Sequence, residues 1–176
     1  MMSPISPYLA DILAQPAALQ TALDRFDPEA LAPLRRRLLD GEFDRIVFSG
    51  MGSSYQAAYP AILQLASLPI PVMLVNAAEL LHYGRGLVGR RTLLWLNSQS
   101  GRSVELVRLL DVLKETPPAG LLACVNDLTS PLAKAVEVCL AIHAGDERTV
   151  STKTYLNMLT VNLLAARMLA GGDMAK

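Results

Sequence analysis

Two short segments concentrate hydroxyls and glycines just ahead of a stretch with helical spacing: SGMGSSY at residues 49–55 and NSQSGRS at residues 97–103. Such a run feeding a helix can do chemistry. The first turn of a helix presents unpaired backbone N–H groups and the positive end of the helix dipole, which together attract an anion. Gly50, Gly52 and Gly101 let the backbone turn and approach a ligand closely. Ser53, Ser54, Ser98, Ser100 and Ser103 add hydroxyl donors. Neither segment holds a lysine, and Arg102 is the one charged residue in either. A phosphate bound here is therefore held mainly by neutral donors, which suits a sugar monophosphate better than a triphosphate. The alternative is plain helix capping by serine. Nucleotide readings fail on spacing. GMGSSY lacks the third glycine of a dinucleotide loop, no acidic residue follows at about 20 positions, and no Gly-Lys-Ser or Gly-Lys-Thr is present.

The elements that must position these residues read as an alternation. Short, continuous apolar runs at residues 45–49, 71–76, 92–96, 120–125 and 138–142 have the character of strands buried on both faces. Helical spacing fills the gaps at 54–67, 78–83 and 103–115, with a turn or two after Ser130-Pro131 and a long final helix at 154–170. The first 40 residues are a helical lead-in whose third helix opens at Asp27-Pro28. This pattern implies a three-layer α/β domain over residues 41–176, with a five-stranded parallel sheet of flavodoxin-like topology. In the order 2-1-3-4-5, the loops after strands one and three face each other across the switch point, where ligands bind.

Composition narrows the partners. The 176 residues are 52% hydrophobic and 18% charged, with 16 basic against 16 acidic side chains. That balance offers no electrostatic footprint for nucleic acid or an anionic membrane. Residues 35–37, RRR, read as a solvated helix face. No signal peptide is visible, and prolines 60, 69 and 71 interrupt the apolar stretch at 55–78, so no membrane span is expected. Cys124 and Cys139 sit in apolar runs without CxxC spacing and read as buried free thiols of a cytoplasmic protein. Two isolated histidines give no metal-ligand spacing. Neither a metal nor a cofactor is expected.

The segments GMGSSY, NSQSGRSVE and ERTVSTKTY together resemble the three motifs of the SIS (sugar isomerase) domain. The likeness is to the first of the two such domains in phosphosugar isomerases of the glucosamine-6-phosphate synthase type, and DILAQPAAL at 11–19 resembles their lead-in. The resemblance implies a sugar-phosphate site, with a hexose or amino-sugar 6-phosphate as ligand. Ser53 and Ser54 then match a Thr-Ser pair, and Ser98, Gln99, Ser100 and Ser103 match the phosphate loop, Ser103 standing for a threonine. Met51 and Gly52 fall where backbone meets ligand. Val150 and Ser151 fall at the sugar-contacting Val-x-Ser, in a segment one residue shorter here. The resemblance extends neither to the family's glutaminase domain nor to the second SIS domain, which carries the proton-moving glutamate helix and a closing lysine. The implied partner is a second copy of the chain or a second SIS half.

Aldose–ketose isomerisation needs a base between C1 and C2. Glu147 and His82 are the candidates for that role here, beside Glu79 and Lys153; the structural alternatives are loop charges, a half-buried histidine and a surface lysine. Two functions follow: a sugar-phosphate isomerase or deglycase that needs a second domain, or a binding module without chemistry. The final helix is apolar on more than one face, so it is expected to pack on the sheet and on a partner domain.

Overall fold

The computed structural model describes residues 5–148 and 150–172; Thr149, within the third motif, and the last four residues of the expected domain lie outside them. Five strands, β1 (Arg45–Gly50), β2 (Val72–Asn76), β3 (Thr92–Ser98), β4 (Gly120–Val125) and β5 (Val138–Ala141), form one parallel sheet in the order β2-β1-β3-β4-β5. All seven residues of β3 are buried, whereas the edge strands β2 and β5 are only partly so. The apolar runs are continuous because the middle strands are covered on both faces.

Side chains alternate between two cores. Ile46, Phe48, Leu93, Trp95, Leu122 and Cys124 face one layer, with Phe48 stacked on Trp95 at 4.5 Å between ring centroids. Val47, Leu94, Leu96, Ala123 and Val125 face the other. The second layer is built by α6 (Ala77–His82), α7 (Val104–Leu113) and α8 (Pro131–Ala135), which contribute Leu80, Leu106, Leu109 and Leu132. No helix among the described residues is long and apolar enough to cross a membrane.

The first layer holds the lead-in, α1 (Pro7–Leu13), α2 (Gln15–Arg25) and α3 (Ala32–Leu39), together with α4 (Gly52–Gln56), α5 (Tyr59–Leu65) and α9 (Lys153–Leu169). Asp27 does cap the third segment, but through a short 3-10 turn, Pro28–Leu31, that precedes α3. The single helix expected at 54–67 is broken into α4 and α5. Pro60 has no N–H, and its ring would meet the carbonyl four residues back, so the first helix stops at Gln56 and another begins at Tyr59. The buried Asn162 of α9 donates to the freed carbonyl of Ala57 (3.3 Å).

One expectation is corrected here. Arg35 and Arg36 are exposed, but Arg37 is half-buried: it donates to Glu42, Glu137 and the carbonyl of Ala119, and lies 5.1 Å over the Phe43 ring. The α9 helix packs against α2, α3, α5 and β4 on one side, while Leu156, Leu163 and Leu164 on the other are only partly buried. Its buried stripe of Asn157, Met158, Val161, Asn162, Ala165, Ala166 and Leu169 is broader than a single packing seam.

Candidate functional site

Strand register sets the site. Gly50 pairs with Asn97, so the loops after β1 and β3 leave the sheet side by side, at its carboxyl edge. A Cβ on Gly50 would stand 2.9 Å from the Asn97 carbonyl oxygen and 3.1 Å from the Tyr55 nitrogen. A side chain at this position would therefore keep the first loop from folding back over the strand end.

The loop after β3 is a compact turn. The Gly101 N–H donates to Ser98 Oγ (3.1 Å) and to the Ser98 carbonyl (3.1 Å), while the hydroxyls of Ser98 and Ser103 are 2.9 Å apart. Ser98 is buried, Gln99 half-buried and Ser100 exposed, with Ser100 Oγ accepting from the Arg102 N–H (3.2 Å). Arg102 itself is drawn aside: its guanidinium donates to Asp127 (2.8 Å). Hydrogen bonds from the Thr129 hydroxyl and amide, and from Arg102, lower the Asp127 pKa to about 2. The loop therefore offers neutral donors at its mouth.

The helix ends differ in how they are capped. Ser6, Asn76 and Ser130 cap α1, α6 and α8 with side-chain oxygens. Ser103, the N-cap of α7, does not; its hydroxyl is engaged with Ser98. Met51, the N-cap of α4, has no oxygen to offer, and Gly52 follows at φ +52. The amides of the first turn of α7 are thus left without a side-chain cap, beside the uncapped start of α4.

The third motif joins from β5. Ser53 donates to Ser151 Oγ (2.9 Å), so the structure brings the first loop and the 150–151 segment together. Val150 and Ser151 are exposed, as are Gly52 and Ser53, while Met51 and Ser54 are half-buried. Beneath them, Glu147 accepts from the amides of Thr152 (2.8 Å) and Thr154 (3.4 Å) and from both their hydroxyls. Burial pushes the Glu147 carboxyl up, but these bonds outweigh it and hold the pKa below its usual value. It works as the missing cap of α9 and stays ionised.

Sequence reasoning missed the role of the lead-in. Lys153, read as a surface residue, is buried and paired with Asp11 of α1 at 3.1 Å. Asp11 also accepts from the Arg148 N–H (3.2 Å), and this bond, followed by that to Lys153, lowers its pKa. The lead-in thereby grips both ends of the segment that carries Val150 and Ser151. An acid in an otherwise apolar helix was the available signal.

His82 is not brought to this edge. It is exposed near the far end of α6, in a groove of about 350 Å³ shared with Leu81, Arg85, Arg108, Asp111 and Val112. No group of three or more His, Cys, Asp or Glu side chains that could hold a metal comes together among the described residues.

Comparison with known proteins agrees with this fold. The sequence family described as the SIS domain matches residues 42–168. The chain is 32% identical over 163 residues to a glutamine–fructose-6-phosphate aminotransferase (isomerizing) of Chlamydia abortus, covering 89% of this chain and 26% of that protein. It is 30% identical to the arabinose 5-phosphate isomerase KpsF of Escherichia coli, covering 95% of this chain and 54% of that one. In fold it matches the C-terminal domain of glucosamine-fructose-6-phosphate aminotransferase from Francisella tularensis, with a TM-score of 0.82 at 21% identity, over 96% of this chain and 48% of that chain. The chain thus spans between a quarter and about half of the length of these relatives.

Proposed function

The chain belongs to the SIS domain family, and we propose that it binds a sugar phosphate at the carboxyl edge of β1 and β3. The phosphate lies at the start of α7, within reach of Ser100, Ser103 and Gln99, with Ser53 and Ser54 on its other side. The sugar points toward Met51, Gly52, Val150 and Ser151. The observation that carries this reading is the uncapped α7: a serine stands at its N-cap, yet that hydroxyl is turned to Ser98. Uncapped amides at a switch point, with the nearby Arg102 already paired to Asp127, suit a monoester phosphate on a neutral sugar.

The chemistry is that of the substrate-holding part of a sugar-phosphate isomerase or deglycase. The state of Glu147 favours binding over proton transfer by this domain alone. Its oxygens are taken by Thr152 and Thr154, and its lowered pKa makes it a poor proton donor at neutral pH. A base from a second SIS domain, in a second copy of the chain or in another segment, completes the isomerase. The same observation supports the second reading, a sensing module that binds without turnover.

Calorimetric titration with fructose 6-phosphate, glucosamine 6-phosphate, arabinose 5-phosphate, free fructose and inorganic phosphate tests the proposal. Phosphosugars should bind more tightly than fructose or phosphate, and Ser100→Ala should weaken them at least tenfold. Equal affinity for fructose and its phosphate would refute it. Turnover by the isolated chain would exclude the sensing module.

A further inference from the structure

We propose that Asn126 is a positioning residue that locks the Val150–Ser151 segment in register with the phosphate loop, so that both grip one ligand; this rests on the sugar-phosphate reading above. Asn126 follows β4 directly, between the two loops it joins. Toward the phosphate loop its backbone N–H donates to the Gln99 carbonyl (2.9 Å). Toward the other loop its carboxamide acts twice: Nδ2 donates to the Gly145 carbonyl (2.8 Å), and Oδ1 accepts from the Ala144 N–H (2.9 Å). One side chain thus satisfies a donor and an acceptor of the same turn, as a neighbouring strand would.

That turn is conformationally strained. His143, at φ +50, is the one non-glycine residue in the left-handed region among the described residues, and Gly145 follows at φ +67. For His143 such a conformation persists only where the surroundings over-determine it, whereas Gly145 adopts it freely. The last sheet bond on this side, from the Ile142 N–H to the Val125 carbonyl (2.9 Å), lies just before the turn. Beyond it the carboxamide takes over. The direction in which the chain leaves Gly145 fixes where Glu147 collects Thr152 and Thr154, and hence where Ser151 meets Ser53.

The two halves of the lock are separable by mutation. Asn126→Ala removes the grip on residues 144–145 but keeps the backbone bond to Gln99. The phosphate loop also retains its bond from the Leu132 N–H to the Gly101 carbonyl (3.2 Å). Inorganic phosphate should therefore bind N126A within about twofold of wild type, while fructose 6-phosphate or arabinose 5-phosphate weakens about tenfold or more. Asn126→Asp puts an oxygen against the Gly145 carbonyl and should lose at least as much. His143→Gly in the N126A background relieves the left-handed strain and should restore part of the loss.

A selective loss with rescue supports the lock. Equal weakening of phosphate and phosphosugar, or an unchanged preference, overturns it. Amide exchange without ligand gives an independent reading. In N126A the Ala144 amide should exchange faster while the Gly101 amide does not, and unchanged exchange at Ala144 overturns the lock. Should the wild type prefer no phosphosugar at all, the sugar-phosphate reading fails, and Ala144 exchange alone then decides the lock.

Discussion

Gly101→Ala tests how tightly the loop after β3 is built, and its consequence can be worked from the contacts. Gly101 has φ +61, a conformation that costs an alanine about 1–2 kcal/mol. The added methyl would stand 2.0 Å from Ser130 Oγ and 2.5 Å from Ser130 Cβ, distances that no relaxation of the substituted residue alone can absorb. Ser130 is fully buried and caps α8 through the Ala133 N–H (3.3 Å), so displacing it adds an overpacking term of about 1–3 kcal/mol and forfeits a cap worth about 1 kcal/mol. The combined loss, about 3–6 kcal/mol, is a large part of the roughly 5–15 kcal/mol typical of a domain. With a urea slope of about 2 kcal/mol/M, the unfolding midpoint should fall by about 2 M.

The second arm of the same experiment is Gly101→Ala with Ser130→Gly. With both Ser130 atoms gone, the next atom the methyl meets is Leu132 Cβ at 3.6 Å, an ordinary contact. Glycine at an N-cap costs only a few tenths of a kcal/mol, so the double variant should lie within about 2 kcal/mol of wild type, more stable than G101A itself. Urea denaturation of the four proteins in this cycle measures it. A double variant as unstable as G101A would refute the argument from Ser130, and a G101A within about 1 kcal/mol of wild type would refute the tightness of the loop.

Other consequences are open to test. Ser103→Asp should cap α7, raising stability by about 0.5–1 kcal/mol in denaturant, while its charge repels phosphate and weakens phosphosugar binding more than tenfold by calorimetry. Asp11, Asp44, Asp127 and Glu147 all have lowered pKa values in the fold, so their contribution is complete above about pH 5 and is lost as pH falls through the folded values, which for Asp127 is about 2. Urea midpoints should accordingly be flat near neutrality and drop steeply in acid; midpoints that rise on acidification would contradict this. His82→Ala should leave phosphosugar affinity within about twofold in the same titration, because its groove lies on α6 and α7. A thiol reagent should reach the half-buried Cys139 first and Cys124 only on global unfolding, since complete burial pushes the Cys124 thiol far up.

Sheet and strand order were legible because buried strands write themselves as unbroken apolar runs, and only a few orders place five of them in parallel. What escaped were decisions made by distant parts of the chain. Residues 54–67 have helical spacing throughout, yet Pro60 divides them, and Asn162 supports the break from another helix. Lys153 looks like any first-turn lysine until Asp11 of the lead-in arrives beside it. The final helix takes much of its packing from the lead-in, which the sequence presents as an appendage. In the fold, α2 and α3 are walls of the same core.

The site shows where the legibility ends. Ser6, Ser103 and Ser130 each stand just before a helix, but Pro7 and Pro131 follow the first and last, whereas Val104 follows Ser103. Ser6 and Ser130 turn their oxygens to their own helices. Ser103 turns its oxygen to Ser98, because the loop between them is drawn into a tight turn by Gly101 and is buttressed by Ser130 and Leu132 from the next connection. One serine is therefore a cap that builds the wall against which another is prevented from capping. An uncapped helix start forgoes about 1 kcal/mol of stability and leaves its first amides open to water or to a ligand. The spacing of hydroxyls and glycines locates the two loops. The uncapped amides at α7 follow from the packing of the β4–α8 connection behind them, which the spacing alone does not record.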